Sequence, residues 1–394
     1  MKDVLSTRAQ QIKTSATVAV SDLARELKNQ GHDVISLSSG EPDFDTPDPI
    51  KQSAIKAIQQ GFTKYTHIEG TPTLKIAISQ KLRRDNQLNY EPNEIIVSNG
   101  AKQSIYNAIM AVLNTSDEAI ILAPYWVSYP SIVKMVGAVP IIIQTTLSQN
   151  FKITPQQLEE AITPKTRLLI LNSPSNPSGI AYSKSELEAF AEILLKYPEV
   201  LILSDDIYEY ILWGQDYFVN ILNVCPKLRN RTIIINGASK AFAMTGWRIG
   251  YAIGPKAIIQ AMKKIQSQST SCPNSIAQVA VTTALGYERG YFNYMYETYK
   301  MRHDLVLKAL NQMKGVRCIP ADGAFYLFPD LTKTIKRLKL PSDIELSTYL
   351  LNKINVAVVP GSAFGLSGHI RLSCATSNEN LREAINRLST VLDQ

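Results

Sequence analysis

Cysteine and histidine are scarce in this chain of 394 residues, with four of each. The cysteines, Cys225, Cys272, Cys318 and Cys374, stand far apart and form no C-x-x-C, and the histidines are equally scattered. Neither a metal site nor a disulfide framework is expected, and a reducing cytoplasm suits the composition. Long apolar runs are missing too. Nothing approaches the roughly 20 residues that cross a bilayer, and the opening "MKDVLSTRAQQIKTSATVAV" lacks the apolar core of a secretion signal. A soluble, cytoplasmic protein with no membrane partner is the expectation. The formal net charge is +7, but lysines and arginines are spread along the chain, with no basic helix and no aromatic-rich basic stripe. That argues against nucleic acid and is compatible with an anionic substrate or cofactor. No repeat or low-complexity tract is visible.

What is present reads as globular: 45% hydrophobic and 19% charged residues, in a chain longer than one core usually serves, so two domains are expected. From about residue 94, apolar runs ("EIIVSNG", "EAIILAP", "VPIIIQT", "RLLILNS", "VLILSDD", "RTIIING", "RIGYAIG") alternate with helix-period segments. In "AKQSIYNAIMAVLN", Ile105, Ala108, Ile109, Val112 and Leu113 recur at helical spacing. The pattern predicts an α/β fold: a mostly parallel sheet sandwiched by helices, with polar residues gathered where the strands end. After about residue 286 come a polar helix pattern (287–313), then "GVRCIPADGAFYLFPDL", "INVAVVPG" and "HIRLSCAT", and a terminal helix. This predicts a smaller α+β domain. The Pro- and Asp-rich "GEPDFDTPDP" at 40–49 reads as an extended crossover. The expected division is a large ligand-binding domain at 48–285 and a small domain at 286–394, with residues 1–47 packing against the latter.

The chemistry centres on "GASKAFAMTGWRIG", 237–250. Lys240 sits among small residues that let a bulky polar group approach the backbone, and a buried lysine becomes a neutral nucleophile. The alternative is a lysine whose head reaches water. Ser239 and Arg248 can hold phosphate oxygens. A nucleophile elbow on Ser239 competes, but Ala241 stands where that turn needs glycine. In "VSNGAKQS" a strand turns at glycine into a helix, whose first amides at Gly100, Ala101 and Lys102 suit a phosphate, although ordinary turns look the same. "LSDDIY" ends a strand in two aspartates, either a helix cap or a counter-charge that keeps a pyridine nitrogen protonated, with Tyr208 on the same side of a turn. Asn176 lies in the turn "LNSPSNPSG", and Trp126 in "PYWVSYP" is either core or a stacking surface for an aromatic cofactor. In "GHIRLSCA", Arg371 alternates away from Ile370, Leu372 and Cys374, either towards water or as a planar fork for a carboxylate.

Together these stretches resemble the fold-type I pyridoxal 5′-phosphate (PLP) enzymes, specifically the class I aminotransferases, from about Arg8 to the C-terminus. "SATVAV", "SSGEPDFDTP", "PYWVSYP", "AFAMTGWRIGY" and "IRLSCATS" are most similar to a bacterial aspartate aminotransferase subgroup, some of whose members also accept prephenate. The resemblance implies Lys240 as the lysine that links to PLP and shuttles the proton, and Asp205 on the pyridine nitrogen. It implies Tyr208 and Asn176 on the ring oxygen and Trp126 stacked on the ring. Gly100, Ala101, Lys102, Ser239 and Arg248 would hold the phosphate. Tyr65, in "TKYTHIEG", matches a tyrosine that reaches a phosphate across a dimer interface, which implies a homodimer with shared active sites. Arg371 would hold the substrate α-carboxylate, beside Gly40, Trp126 and Asn176. Lys102 with Ser15 or Thr17 would take the distal carboxylate, and Lys13 matches a lysine associated with prephenate use, a surface lysine being the alternative. Gly237 departs from the family's frequent serine, and D-D-I-Y from its usual D-E-I-Y.

The expected activity is amino transfer between L-aspartate and 2-oxoglutarate. Prephenate or aromatic donors, or a PLP-dependent lyase, are alternatives on the same scaffold. A PLP-sensing regulator is disfavoured because too few residues precede the likeness to form a DNA-binding domain.

Overall fold

The structure, a computed structural model, describes residues 4–12, 16–215 and 217–393. Among these, the strands are β1 (Ile35–Ser36), β2 (Ile95–Ser98), β3 (Glu118–Leu122), β4 (Val139–Ile143), β5 (Thr166–Asn172) and β6 (Leu201–Asp205). They continue with β7 (Thr232–Gly237), β8 (Gly250–Ile253), β9 (Tyr326–Leu327), β10 (Val356–Ala357), β11 (Val359–Pro360) and β12 (Ile370–Ser373). Seven of them form one sheet in the order β2-β8-β7-β6-β5-β3-β4, parallel except for β8, which runs antiparallel to both neighbours. This is the mostly parallel sheet the apolar runs predict. Alternate residues of one strand feed two cores: Ile233 and Ile235 of β7 join Ile105, Ile109 and Met262 on one face, and Ile234 joins Leu74, Ile78 and Val281 on the other. A strand buried on both faces needs an unbroken apolar run, which is what β7 has.

The chain beyond residue 286 is built differently. β11, β12 and β9 form an antiparallel sheet, and β1 pairs in parallel with β10, tying residues 35–36 to 356–357. A further apolar cluster gathers Ile35 and Leu37 with Leu310, Leu327, Leu350, Val356, Leu372 and Leu388. The strands here are shorter than the runs that suggest them. "INVAVVPG" gives two pairs of residues separated at Val358, and the polar pattern of 287–313 is helical over Asn293–Leu310 after a 3₁₀ turn. β12 lies between β11 and β9 and is buried throughout, so its alternation marks two covered faces and Arg371 is 1% exposed. Its exposure to water, one of the two readings open from the sequence, does not occur. Among the described residues no helix is long and apolar enough to cross a membrane, and no cluster of His, Cys, Asp or Glu is placed to hold a metal ion.

The topology brings the polar strand ends together. Asn172 of β5 pairs with Asp205 of β6, and β7 ends beside them before the turn that carries Lys240. Ligands bind at the carboxyl ends of such strands.

Candidate active site

A cavity of about 650 Å³ opens at these strand ends. Lys240 reaches it from the short helix Ala238–Ala241, which follows β7 directly. The turn is tight: the Gly237 amide donates to Asn236 Oδ1 at 2.7 Å, and a Cβ on Gly237 would sit 2.9 Å from the Ile249 carbonyl oxygen. That crowding is a physical reason for glycine where the related motif often has serine. Lys240 Nζ donates to the Gly40 carbonyl at 2.5 Å. Burial, reinforced by the Arg371 guanidinium, brings its pKa down to about 8. The side chain is half-buried, its exposed part facing the cavity.

The sign of this shift gives a first expectation. Between about pH 8 and the ordinary lysine value of 10.5, Lys240 is neutral while an ordinary lysine is charged. Reaction of the cofactor-free protein with an aldehyde, trapped by reduction and located by peptide mass, is expected to rise through about pH 8 and level off there. In the same window the unfolded chain binds a proton that the folded one does not, so stability rises with pH over that range. A labelling midpoint near 10.5 would contradict the buried environment.

The two aspartates of "LSDDIY" separate cleanly. Asp205 faces the cavity, accepts from the Tyr129 hydroxyl at 2.6 Å and from the Ile207 amide at 3.3 Å, and its pKa is raised to about 6 by burial, which these bonds and the Lys240 charge oppose. Asp206 turns the other way, accepting from Ser204 Oγ and Asn220 Nδ2 at 2.7 and 2.6 Å. Burial raises its pKa well above the usual range. A turn follows rather than a helix, so neither aspartate is a helix cap. Tyr208 lines the cavity with its hydroxyl 2.9 Å from that of Tyr326.

An anion cup lies at the other end. The helix Ala101–Val112 starts at Gly100, which has φ 88° and provides no side-chain cap, so among the described residues the Ala101 and Lys102 amides remain open. The Gly100 amide, expected from the sequence to face a phosphate, instead donates to the Ser98 carbonyl at 2.8 Å. A Cβ on Gly100 would meet Arg248 Nη2 at 2.1 Å, and one on Gly250 would meet the Ala101 amide nitrogen at 2.1 Å. Glycine at both positions lets the helix start, β8 and Arg248 converge. Arg248 itself has φ 56°, a strained backbone for a branched-off side chain, and donates to the Thr245 carbonyl at 2.8 Å. Ser239 lines the same cavity. Open amides at a helix start with a guanidinium and a hydroxyl beside them make a site for a phosphate-like anion.

Arg371 closes the far wall. It donates through Nη1 to Asn176 Oδ1 at 3.0 Å and through Nη2 to the Ser38 carbonyl at 2.7 Å, and its buried Nε has no partner among the described residues. Its guanidinium lies over the rings of Tyr326 and Phe364, 4.4 and 5.1 Å from their centroids. Burial lowers its pKa, yet an arginine stays charged, so the site holds a buried cation in need of an anion. Trp126 stands edge-on to Tyr129, with Lys102 Nζ 4.9 Å from its ring centroid, and burial lowers the Lys102 pKa. Gly40 and Thr17 also line the cavity.

One residue named from the sequence, Tyr65, is 92% exposed and does not line the cavity of its own chain; Lys13 and Ser15 lie outside the described residues. Conversely, Tyr129 and Tyr326 belong to the site but read as core tyrosines. For Tyr129 the only hint was its place three residues after Trp126. Arg25 and Lys28, on the helix Ala16–Asn29, also line the cavity.

A doubly wound sheet with a buried lysine, an aspartate, an anion cup and a carboxylate-ready arginine in one cavity defines the class of the protein. The pattern of the family described as aminotransferase class I and II matches residues 32–388, and the chain belongs to that family. The chain is 52% identical to the aspartate/prephenate aminotransferase of Nitrosomonas europaea, over 98% of this chain and 99% of the relative. It is 46% identical to an aspartate aminotransferase crystal structure from Rhizobium meliloti, with a TM-score of 0.93, covering 99% of this chain and 98% of that one. The aspartate aminotransferase of Thermus thermophilus, solved with maleate, shares 43% identity with a TM-score of 0.93, over 98% and 99% of the two chains.

Proposed function

We propose that this aminotransferase uses PLP to move an amino group between L-aspartate and 2-oxoglutarate, giving oxaloacetate and L-glutamate. The observation that carries this reading is the convergence of Lys240, Asp205, Arg248 and Arg371 on one cavity. The donor set fits PLP: an anion cup, a buried carboxylate, and an amine whose pKa falls to about 8. The unpartnered Nε of Arg371 fits a substrate carboxylate. Bound there, PLP would supply an aldehyde for the amino group and an electron-withdrawing ring.

The chain's own residues do the rest. Gly100, Ala101, Lys102, Ser239 and Arg248 would hold the phosphate, Asp205 would keep a proton on the ring nitrogen, and Tyr208 and Asn176 would donate to the ring oxygen. Trp126 would cover the ring. Arg371, with the Gly40 backbone, grips the α-carboxylate, and Lys240 Nζ takes up the proton leaving the substrate α-carbon and returns it. Lys102 and Thr17 face the distal carboxylate. Closure of a small domain (286–394, with 1–47) on a large one (48–285) would exclude water from these steps.

A homodimer completes the reading. Tyr65 is displayed beside exposed Ile55, Ile58 and Phe62, and a groove of about 640 Å³ runs past Arg248, Trp247 and Phe44. Tyr65 of a second copy would enter there, and a Tyr65→Phe substitution would then weaken PLP binding.

Incubating the PLP-loaded protein with L-aspartate alone tests the reaction. The expected result is a change in cofactor absorbance with one equivalent of oxaloacetate, and continued turnover only when 2-oxoglutarate is added. Release of ammonia would point to a lyase instead. Prephenate is a second acceptor to assay in parallel, because Arg25 and Lys28 extend the cationic lining beyond what a small dicarboxylate needs.

A further inference from the structure

Tyr326 is 1% exposed at the start of β9. It pairs with Ser373 of β12, so it and Arg371 share one face of the small sheet as diagonal neighbours. Its ring lies against the Arg371 guanidinium, and its hydroxyl meets that of Tyr208 at 2.9 Å. Each phenol has a single proton to give. In that bond either hydroxyl can donate to the other. Once Tyr208 gives its proton to an acceptor in the cavity, only Tyr326 can supply the bond between the two.

Resting on the PLP reading above, we propose that Tyr326 is a positioning residue that couples the carboxylate fork to the cofactor. Its hydroxyl donates to Tyr208, and its ring carries the charge state of Arg371 to that bond. A donor chain polarises each member, so Tyr208 becomes the stronger donor towards the cofactor oxygen. Burial holds both phenol pKa values above the ordinary range, and the downward pull of the bare guanidinium opposes that rise, which makes the Tyr326 phenol a better donor than burial alone would leave it. A carboxylate seated on Arg371 neutralises that pull. The chain then slackens, and the cofactor holds its titrating proton to higher pH. Substrate capture is thereby communicated to the ring without any movement of backbone. Plain packing would not require the hydroxyl, because phenylalanine fills the same space.

The test uses the PLP-loaded protein and two variants, with succinate as a non-reacting dicarboxylate. Wild type is expected to show a spectral titration midpoint that moves up when succinate binds. In Tyr326→Phe the midpoint without succinate rises by about half a pH unit to one unit, the size of one modest hydrogen bond. The succinate-induced shift shrinks, while thermal stability and succinate affinity stay within about threefold of wild type because the ring is kept. Tyr326→Leu removes the ring from Arg371 and is expected to weaken succinate binding by about tenfold. A Tyr326→Phe protein with the wild-type midpoint and the wild-type succinate response overturns the proposal. A wild type that takes up no PLP sinks the functional reading instead.

Discussion

Replacing Lys240 with alanine is expected to abolish measurable amino transfer while leaving the protein folded, and more stable than wild type at neutral pH when cofactor-free. Loss of proton transfer alone is worth about 10²–10⁴ in rate, and loss of the covalent route to the cofactor adds to it. The side chain ends in an open cavity, so its removal leaves no packing defect of the kind that penalises core truncations. What disappears is an ammonium held where burial and Arg371 disfavour it. Below about pH 8 the wild-type folded state carries that penalty in full. It shrinks as pH rises from 8 to 10.5 and is gone above, where folded and unfolded chains both hold a neutral amine. One pKa unit corresponds to about 1.4 kcal/mol and the fall from 10.5 to about 8 spans about 2.5 units, so the gain is at most about 3.5 kcal/mol at pH 7, less the lost bond to the Gly40 carbonyl. Melting curves of both cofactor-free proteins at pH 7 and pH 10 check this. A variant that melts lower at pH 7, or that keeps its transfer rate, contradicts the assignment. Lys240→Arg does not rescue activity on this argument, since a guanidinium cannot become a neutral base.

How far the site was legible follows from how each residue announces itself. Lys240 is conspicuous because a long cation among Gly, Ala and Ser has no local reason to be there. Asp205 and Asp206 were visible as a pair, but their division of labour depends on which way each faces at the end of β6, and the donors to Asp206 come from Ser204 and the later Asn220. Arg371 was found through alternation, yet the covering of β12 on both faces is a tertiary fact that period two does not contain. Tyr129 and Tyr326 escaped because an isolated tyrosine beside apolar neighbours looks like core, and by burial it is core, at 2% and 1% exposure. What sets them apart is the hydroxyl, which in Tyr129 meets Asp205 and in Tyr326 meets Tyr208. For the sheet, the apolar runs gave the strands and their parallel sense, whereas the antiparallel insertion of β8 between β2 and β7 could be read only from pairing. In the C-terminal part the irregular short strands left weak periodicity, and only their pairing defined them.

Glu209→Ala is expected to have the largest effect on stability, and its cause is wholly absent from local sequence. Glu209 and Lys81 form an ion pair with side chains 6% and 1% exposed, joining residues 128 apart in the chain. The carboxylate also accepts from Asn86 Nδ2 at 2.7 Å and Asn236 Nδ2 at 2.8 Å, and Lys81 Nζ donates to Asn86 Oδ1 at 2.7 Å. The knot lies four residues from Asp205 and at the strand end that leads into Lys240, so it fastens both of these cavity-lining turns to the helix Pro72–Asn86. Truncating one partner leaves a buried charge with no counter-charge, a loss of about 3–5 kcal/mol, and here two amide donors are orphaned as well. Removing both charges together changes the balance. In Lys81→Met with Glu209→Gln no charge remains to be desolvated, the volumes are kept, and the glutamine oxygen still accepts from Asn236. That double variant is expected to recover most of the loss, because the desolvation cost of a buried pair offsets much of its attraction. Urea unfolding of the cofactor-free proteins, followed by tryptophan fluorescence, reads the difference as a shift in midpoint. A double variant as unstable as Glu209→Ala would mean that the hydrogen bonds, and not the charges, hold the two turns in place.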